Sequence, residues 1–220
     1  MPRTRPACAT TCAWVSGRPP HLLRGGPRVV SEVAKVFELG YRGQPLPGLS
    51  YSATVFHNDY GHLCTQEVDP GRTFVVFDNL MEGRANGIEM WGSYQLAPSW
   101  RISAGMTGLH QTMSLKPGSN DRAGPGTAGK DPSHTAQLRS SYAFAPGREL
   151  EIAVRKVGAL ENPSVPGYTA VDARLGWRIN PDMELSLAGQ NLNGSLGEYG
   201  PVESCTELAR SVAVRLVWGI

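Results

Sequence analysis

Apolar and polar side chains alternate with a period of two through most of the C-terminal half of the chain. In Ala170–Ile179, Val171, Ala173, Leu175, Trp177 and Ile179 alternate with Asp172, Arg174, Gly176 and Arg178. Successive side chains of a strand point to opposite faces, so this segment has one apolar face and one charged face. The pattern predicts nine strands, Lys35–Arg42, Leu49–Asp59, Asn86–Leu96, Arg101–Met113, Thr135–Phe144, Glu149–Leu160, Tyr168–Ile179, Met183–Leu192 and Glu207–Ile220. Short turns at Gln44–Gly48, Ala97–Ser99, Ala145–Arg148 and Asn180–Asp182 join them in pairs. Longer connections separate the pairs, at Gln66–Asn79 (with a β-prone stretch at Thr73–Phe77), Lys116–Ser133, Glu161–Gly167 and Asn193–Ser204.

Segments of about ten residues, joined by alternately short and long connections, have the form of a transmembrane β-barrel. A soluble β-sandwich, such as a carbohydrate-binding module, also alternates and is the competing reading. It requires the apolar face to be buried between two sheets. In the last segment Leu208, Val212, Val214, Leu216, Trp218 and Ile220 share the outward face. Arg210 breaks that face and is expected near the headgroups, where a charge costs little. Trp100, Tyr142, Phe144, Trp177 and Trp218 cluster near strand ends, as an interfacial girdle requires, although aromatics are common in strands generally.

Composition narrows this picture. Only 18% of the 220 residues are charged, and 26 Gly and 17 Pro favour a turn-rich all-β chain. The 21 basic and 19 acidic residues are interspersed, which gives no footprint for nucleic acid. No run approaches the roughly 18 apolar residues of a transmembrane helix, which leaves a strand-built span open. Cys8, Cys12, Cys64 and Cys205 form no metal-binding spacing. A Cys64–Cys205 disulfide needs strands distant in chain order to meet, so isolated thiols are the simpler reading. Residues 1–31 carry Arg, Pro and Gly without periodicity and read as an irregular or non-native leader, with Ala7–Val15 too polar for a signal-peptide core.

Four segments resemble the TonB-dependent outer-membrane receptors. Ser31–Arg42 is similar to the segment that opens their late barrel strands, and Gly83–Glu89 to a Gly-rich strand start. Asn162–Asp172 resembles their loop-to-strand junction, and Gly189-Gln190-Asn191-Leu192-Asn193 their "GQNL" motif. Order and spacing agree across roughly residues 20–220. The resemblance implies that residues 32–220 are the last nine or so strands of a 22-strand antiparallel barrel. It also implies an outer-membrane location, contact with outer-membrane lipid, and import of ferric siderophores or similar iron complexes. Energy would reach such a receptor from the TonB complex through an N-terminal plug. Here no plug, TonB box or convincing signal peptide is seen, and the last residue is Ile220 where the family usually has an aromatic. The expectation is a fragment, inactive alone, with a passive role as wall and selectivity surface.

No catalytic constellation and no cofactor site emerges. Gly124–Lys130 fits half of a phosphate-binding loop, but Asp131-Pro132 replaces the hydroxyl residue and no helical period follows, so a chance match in a Gly-rich loop is the simpler account. His57, Asp59, His62 and Cys64 carry metal-capable side chains, yet a second ligand-bearing segment is missing. The alternatives are a solvated strand end at the extracellular rim or a patch that touches cargo. Arg139, Arg155, Arg174 and Arg215 fall opposite the apolar positions, facing the lumen. There they either attract an anionic ferric complex or pair with Glu149, Glu151, Asp172 or plug carboxylates. The candidate ligand contacts are therefore His57, Asp59, His62, Arg139, Arg155 and Arg174.

Overall fold

The computed structural model describes residues 23–26, 29–71, 74–194, 196–198 and 206–219. These form β1 (Leu23–Arg24), β2 (Val33–Leu46), β3 (Leu49–Val68), β4 (Val75–Ala97), β5 (Trp100–Leu115), β6 (His134–Ala145), β7 (Arg148–Val157), β8 (Tyr168–Asn180), β9 (Met183–Gln190), β10 (Leu196–Glu198), β11 (Thr206–Leu208) and β12 (Ser211–Trp218). One 3-10 helix, Gly124–Lys130, is the only helical element among the described residues. The main sheet runs in the order β12-β9-β8-β7-β6-β5-β4-β3-β2, and β1 pairs in parallel with β4. Along this path neighbours follow chain order except that β9 lies beside β12, and apart from the parallel β1 this is the all-β antiparallel meander expected. β10 and β11 form a separate antiparallel pair.

The chain divides into two compact units. One contains Gly40–Val55, Ile88–Leu109 and the described residues from Asp131 onward. Four two-residue turns recur in it, Pro47-Gly48, Pro98-Ser99, Pro146-Gly147 and Pro181-Asp182. Proline pre-sets the first turn dihedral, and Gly48 and Gly147 supply positive φ, at 78° and 68°. The second residue of each turn offers its carbonyl to the chain beyond. Gly48 O accepts from Gln95 N at 2.9 Å, Ser99 O from Ala143 N at 2.8 Å, Gly147 O from Arg178 N at 2.7 Å and Asp182 O from Gly219 N at 2.9 Å. Each hairpin is thus stitched to the next.

Register in this unit turns the alternation into rows. Trp100, Tyr142, Leu150, Leu175, Leu187 and Val214 stand opposite one another across β5, β6, β7, β8, β9 and β12. The next row is Ile102, Ser140, Ile152, Ala173, Gly189 and Val212. These side chains lie open: Leu175 is 45% exposed, Leu187 46% and Val214 71%. A sandwich buries its apolar face, so the soluble alternative fails here. Contiguous exposed apolar rows of this extent mark a surface that meets another apolar phase.

Two of the family-like segments meet in space. β9 ends at Gln190, and Asn191 takes a left-handed conformation with φ of 53°. Its N–H donates to Asp172 Oδ1 at 2.8 Å. Asn193 then reaches back to β8, accepting from Val171 N at 2.9 Å and donating to Thr169 O at 2.6 Å. Its amide imitates one further strand residue, pairing backbone groups that β9 leaves behind.

The other unit contains the described residues up to Leu39, with Phe56–Gly87 and His110–Lys130. Here the expected boundaries move. β3 and β4 extend through most of the segment assigned to the Gln66–Asn79 connection. Residues beyond Phe56 lack clean alternation because neither face there is wholly apolar, and the strands persist through backbone pairing and side-chain clasps instead. Lys116–Ser133 is not a plain loop: Asp121 accepts from Gln66 N at 2.8 Å, Ala123 N at 2.8 Å and Gly124 N at 3.0 Å, and Asn120 Oδ1 accepts from Val68 N at 2.7 Å. No α-helix follows Gly124–Lys130 among the described residues, so the helix start that a phosphate loop needs is missing there.

Smaller corrections follow. The strand expected to reach Leu160 ends at Val157, and Leu160 instead bridges Val165. The segment Asn193–Ser204 holds β10, and the last strand is split into β11 and β12. Cys64 is disulfide-bonded, against the isolated-thiol reading. The other three cysteines, most of the 1–31 leader and Ile220 lie outside the described residues.

Asn193→Ala would leave Val171 N–H and Thr169 C=O without their partner. The expected loss is about 1–2 kcal/mol, read in a denaturant titration, with faster hydrogen exchange at Val171 as the local signature.

Candidate functional site

The polar face of the first-described unit is assembled by the same register that builds the apolar rows. Ser141, Glu151 and Arg174 stand in one row, Arg139, Ala153 and Asp172 in the next, and Gln137, Arg155 and Ala170 in a third. Arg139 Nη1 lies 3.0 Å from Glu151 Oε1, and Arg174 is ion-paired with Glu184. The Arg155 guanidinium sits 5.8 Å from the Tyr168 ring centroid, a cation–π contact. Arg215 stands opposite Ser186. All four predicted lumen arginines therefore share one face, and two of them are held by carboxylates. Glu184 was not among the expected partners; it reaches Arg174 diagonally across β8 and β9.

A recess of about 440 Å³ opens on this unit, lined by Thr54, Glu89, Trp91, Gln137 and Arg155 among others. Gly105 also lines it, and a Cβ there would press on the Gln137 side chain at 3.2 Å from Nε2. Trp91 was missed from sequence. Its signal was an aromatic at a polar parity position, flanked in steps of two by Glu89, Ser93 and Gln95, and it is 50% exposed. A recess lined by both an indole and a guanidinium suits planar or aromatic anionic groups.

His57 and Asp59 belong to the other unit, and the structure does bring them together. His57 Nε2 lies 3.3 Å from Asp59 Oδ2, and His57 Nδ1 lies 2.6 Å from Asn86 Oδ1. Arg84 Nε contacts the other Asp59 oxygen at 3.2 Å. With oxygen acceptors at both ring nitrogens, the imidazolium is favoured: the hydrogen bond to Asn86 first, then that to Asp59, raises the His57 pKa above the ordinary imidazole value. His57 lies beyond Val55, the last apolar position of its face, and so outside the segment read as spanning. His62 has positive φ, 59°, and lines a recess of about 540 Å³ with Asp59 and Arg84. Cys64 is removed from the group by its disulfide. Among the described residues no three His, Cys, Asp or Glu side chains converge as metal ligands.

Parity decides which face this cluster takes. Steps of two along β3 from Tyr51, Ala53 and Val55 lead to His57 and Asp59, whereas Ser52 and Thr54 take the opposite face.

The family model described as "TonB dependent receptor-like, beta-barrel" matches residues 13–192. The chain belongs to this family. Among curated relatives, the probable TonB-dependent siderophore receptor PiuA of Acinetobacter baumannii is 26% identical over 177 residues, covering 74% of this chain and 23% of its own. The catecholate siderophore receptor Fiu of Escherichia coli is 24% identical over 170 residues, covering 72% of this chain and 21% of its own. The chain thus spans less than a quarter of these relatives. Two solved receptors share its fold. The crystal structure of Fiu superposes with a TM-score of 0.69 at 18% identity, over 94% of this chain and 31% of that one. The iron transporter FrpB of Neisseria meningitidis gives 0.76 at 14%, over 90% and 33%.

Asn86→Ala and Asp59→Asn should each lower the His57 pKa toward the ordinary imidazole range, Asn86→Ala more, in an NMR titration of the ring. By linkage, the stabilisation tied to this raised pKa is complete at acidic pH and is lost as pH rises through it. No change in either variant would remove the assigned cause.

Proposed function

We propose that residues 32–220 are a wall segment of a TonB-dependent outer-membrane barrel that imports ferric siderophores or similar iron complexes. The observation that carries this reading is the pairing of the family match with two register-aligned faces, one apolar and exposed, one rich in arginine. The apolar rows meet outer-membrane lipid; Arg139, Arg155, Arg174 and Trp91 present cation and aromatic surface to an anionic iron complex in the lumen. The names of PiuA and Fiu support the cargo class. The segment contributes binding surface and no chemical step, needs no cofactor, and has no nucleic-acid partner. Coupling to TonB belongs to a plug region outside this wall.

Uptake requires a closed barrel. Among the described residues β2 and β12 end the sheet without pairing to each other, and unpaired backbone is not tolerated in lipid. The segment alone is therefore inactive and depends on further strands. Purified by itself, it should give strand-rich material with no heat-modifiable compact monomer and no ferric-siderophore binding. A discrete monomer that binds such a complex would overturn the proposal. Within a complete receptor, Arg139→Gln/Arg155→Gln/Arg174→Gln should weaken binding of an anionic ferric complex, with a smaller dependence on salt. Leu187→Arg should cost about 2–4 kcal/mol of insertion at mid-bilayer depth, measured by refolding into vesicles.

A further inference from the structure

The lumen-facing series of β4 is covered at its upper end. In steps of two from Trp91 and Glu89 it runs through Gly87 and Ala85 to Gly83, Met81 and Asn79. Ala85, Gly83, Met81 and Asn79 are buried, whereas Asn86, Arg84 and Glu82 on the opposite face are exposed. A lumen wall open to water would leave both series exposed. Over Met81 lies the chain that follows β5: a Cβ on Gly124 would sit 3.1 Å from Met81 Sδ.

Hydrogen bonds trace the route of that chain. It leaves β5 beside β4, where Lys116 N donates to Leu80 O at 2.8 Å, and turns through Pro117-Gly118, with Ser119 N donating to Lys116 O at 3.2 Å. It then reaches β3. Asp69 N donates to Phe74 O at 3.0 Å, on the β4 side, so Gln66 and Val68, of opposite parity, direct their backbone groups to the other edge. On that edge Asp121 Oδ2 accepts from Gln66 N at 2.8 Å. Asn120 accepts from Val68 N at 2.7 Å and donates to Val68 O at 2.9 Å. Glu67 returns the hold, accepting from Ser119 Oγ at 2.7 Å and from Asn120 N at 2.6 Å. The chain after β5 therefore crosses β4 and β3 on their lumen side and is fastened at the far edge.

We propose that residues 116–130 form a fixed ledge on the lumen wall, pinned by Glu67, Asn120 and Asp121, which narrows the barrel mouth and limits the size of solute that passes it. The inference rests on the barrel-wall reading, because that reading makes this face the lumen. A second layer of chain stands about 10 Å from the sheet it covers, and that depth is taken from the opening. Hydrogen bonds to carboxylates are the stronger kind, and Asp121 also holds the ledge's own Ala123 N and Gly124 N. The ledge is thus part of the wall, in place before any cargo arrives, and Glu67, Asn120 and Asp121 are its positioning residues.

The test uses a complete receptor carrying this wall, with hydrogen exchange read on the purified protein and thiol labelling on intact cells. Exchange at Gln66 and Asn120 should be slow. Glu89→Cys supplies a thiol further along the same series of β4. A small methanethiosulfonate should label it, and a bulky polyethylene glycol maleimide should not. Asp121→Ala/Glu67→Ala should speed exchange at Gln66 and Asn120 about tenfold for each carboxylate removed, the worth of one hydrogen bond to a charged group, and should admit the bulky reagent. Asp121→Asn, which keeps one acceptor oxygen, should fall between. Asn193→Ala, which releases a clasp on β8, should leave labelling at position 89 unaltered. Fast exchange at Gln66 and Asn120 in the unaltered receptor overturns the fixed ledge. Equal labelling by the bulky reagent with and without the Glu67 and Asp121 carboxylates overturns its role in size selection. A thiol at position 89 that neither reagent reaches in any form would instead overturn the barrel-wall reading, and this inference with it.

Discussion

In the proposed barrel wall every backbone N–H and C=O must find a partner within the protein, and lateral strand pairing satisfies that demand. The other features follow from it. Strands that must pair side by side are joined by turns as short as Pro146-Gly147, and the free carbonyl of each turn is tied to the chain beyond. Where β9 stops before β8 does, Asn193 supplies the missing donor and acceptor from its side chain. Where β3 continues past Phe56, Asp121 accepts from Gln66 N, and Asn120 both accepts from Val68 N and donates to Val68 O. Polar side chains here serve mainly as substitutes for a neighbouring strand.

Pairing fixes register, and register fixes chemistry. Because the side-chain period is two, one register sets Leu175 beside Leu187 and Arg174 beside Ala188. A slip of one residue would put Arg174 among the apolar rows at a cost of about 2–4 kcal/mol at the midplane. The apolar face therefore specifies the polar face, and an arginine-lined surface needs no separate scaffold. Salt bridges such as Arg139–Glu151 tune that surface but contribute little to its stability, since Arg139 is 62% exposed at its side chain.

The spanning strands were legible because their two faces see different surroundings. β6, β7, β8 and β9 were read from alternation nearly to their ends, and all four Pro-initiated turns fell where expected. Upper β3 and β4 were not, since alternation fades once the apolar surroundings end, although hydrogen bonding continues. The Asp121 clasp on Gln66 joins residues far apart in the chain and leaves no local pattern. That His57 and Asp59 share a face, and which face it is, follows from counting in twos from Val55. Trp91 was equally readable as an aromatic among polar positions.

The central claim is that one face of this sheet meets lipid and the other meets water. Nitroxide scanning of β9 from Met183 to Gln190, in a receptor reconstituted into vesicles, tests it most directly. The account predicts that accessibility to a lipid-soluble relaxant peaks at positions 185, 187 and 189, while a water-soluble one peaks at 184, 186 and 188. Uniform accessibility along the strand, or the same alternation with the two relaxants exchanged, would contradict it.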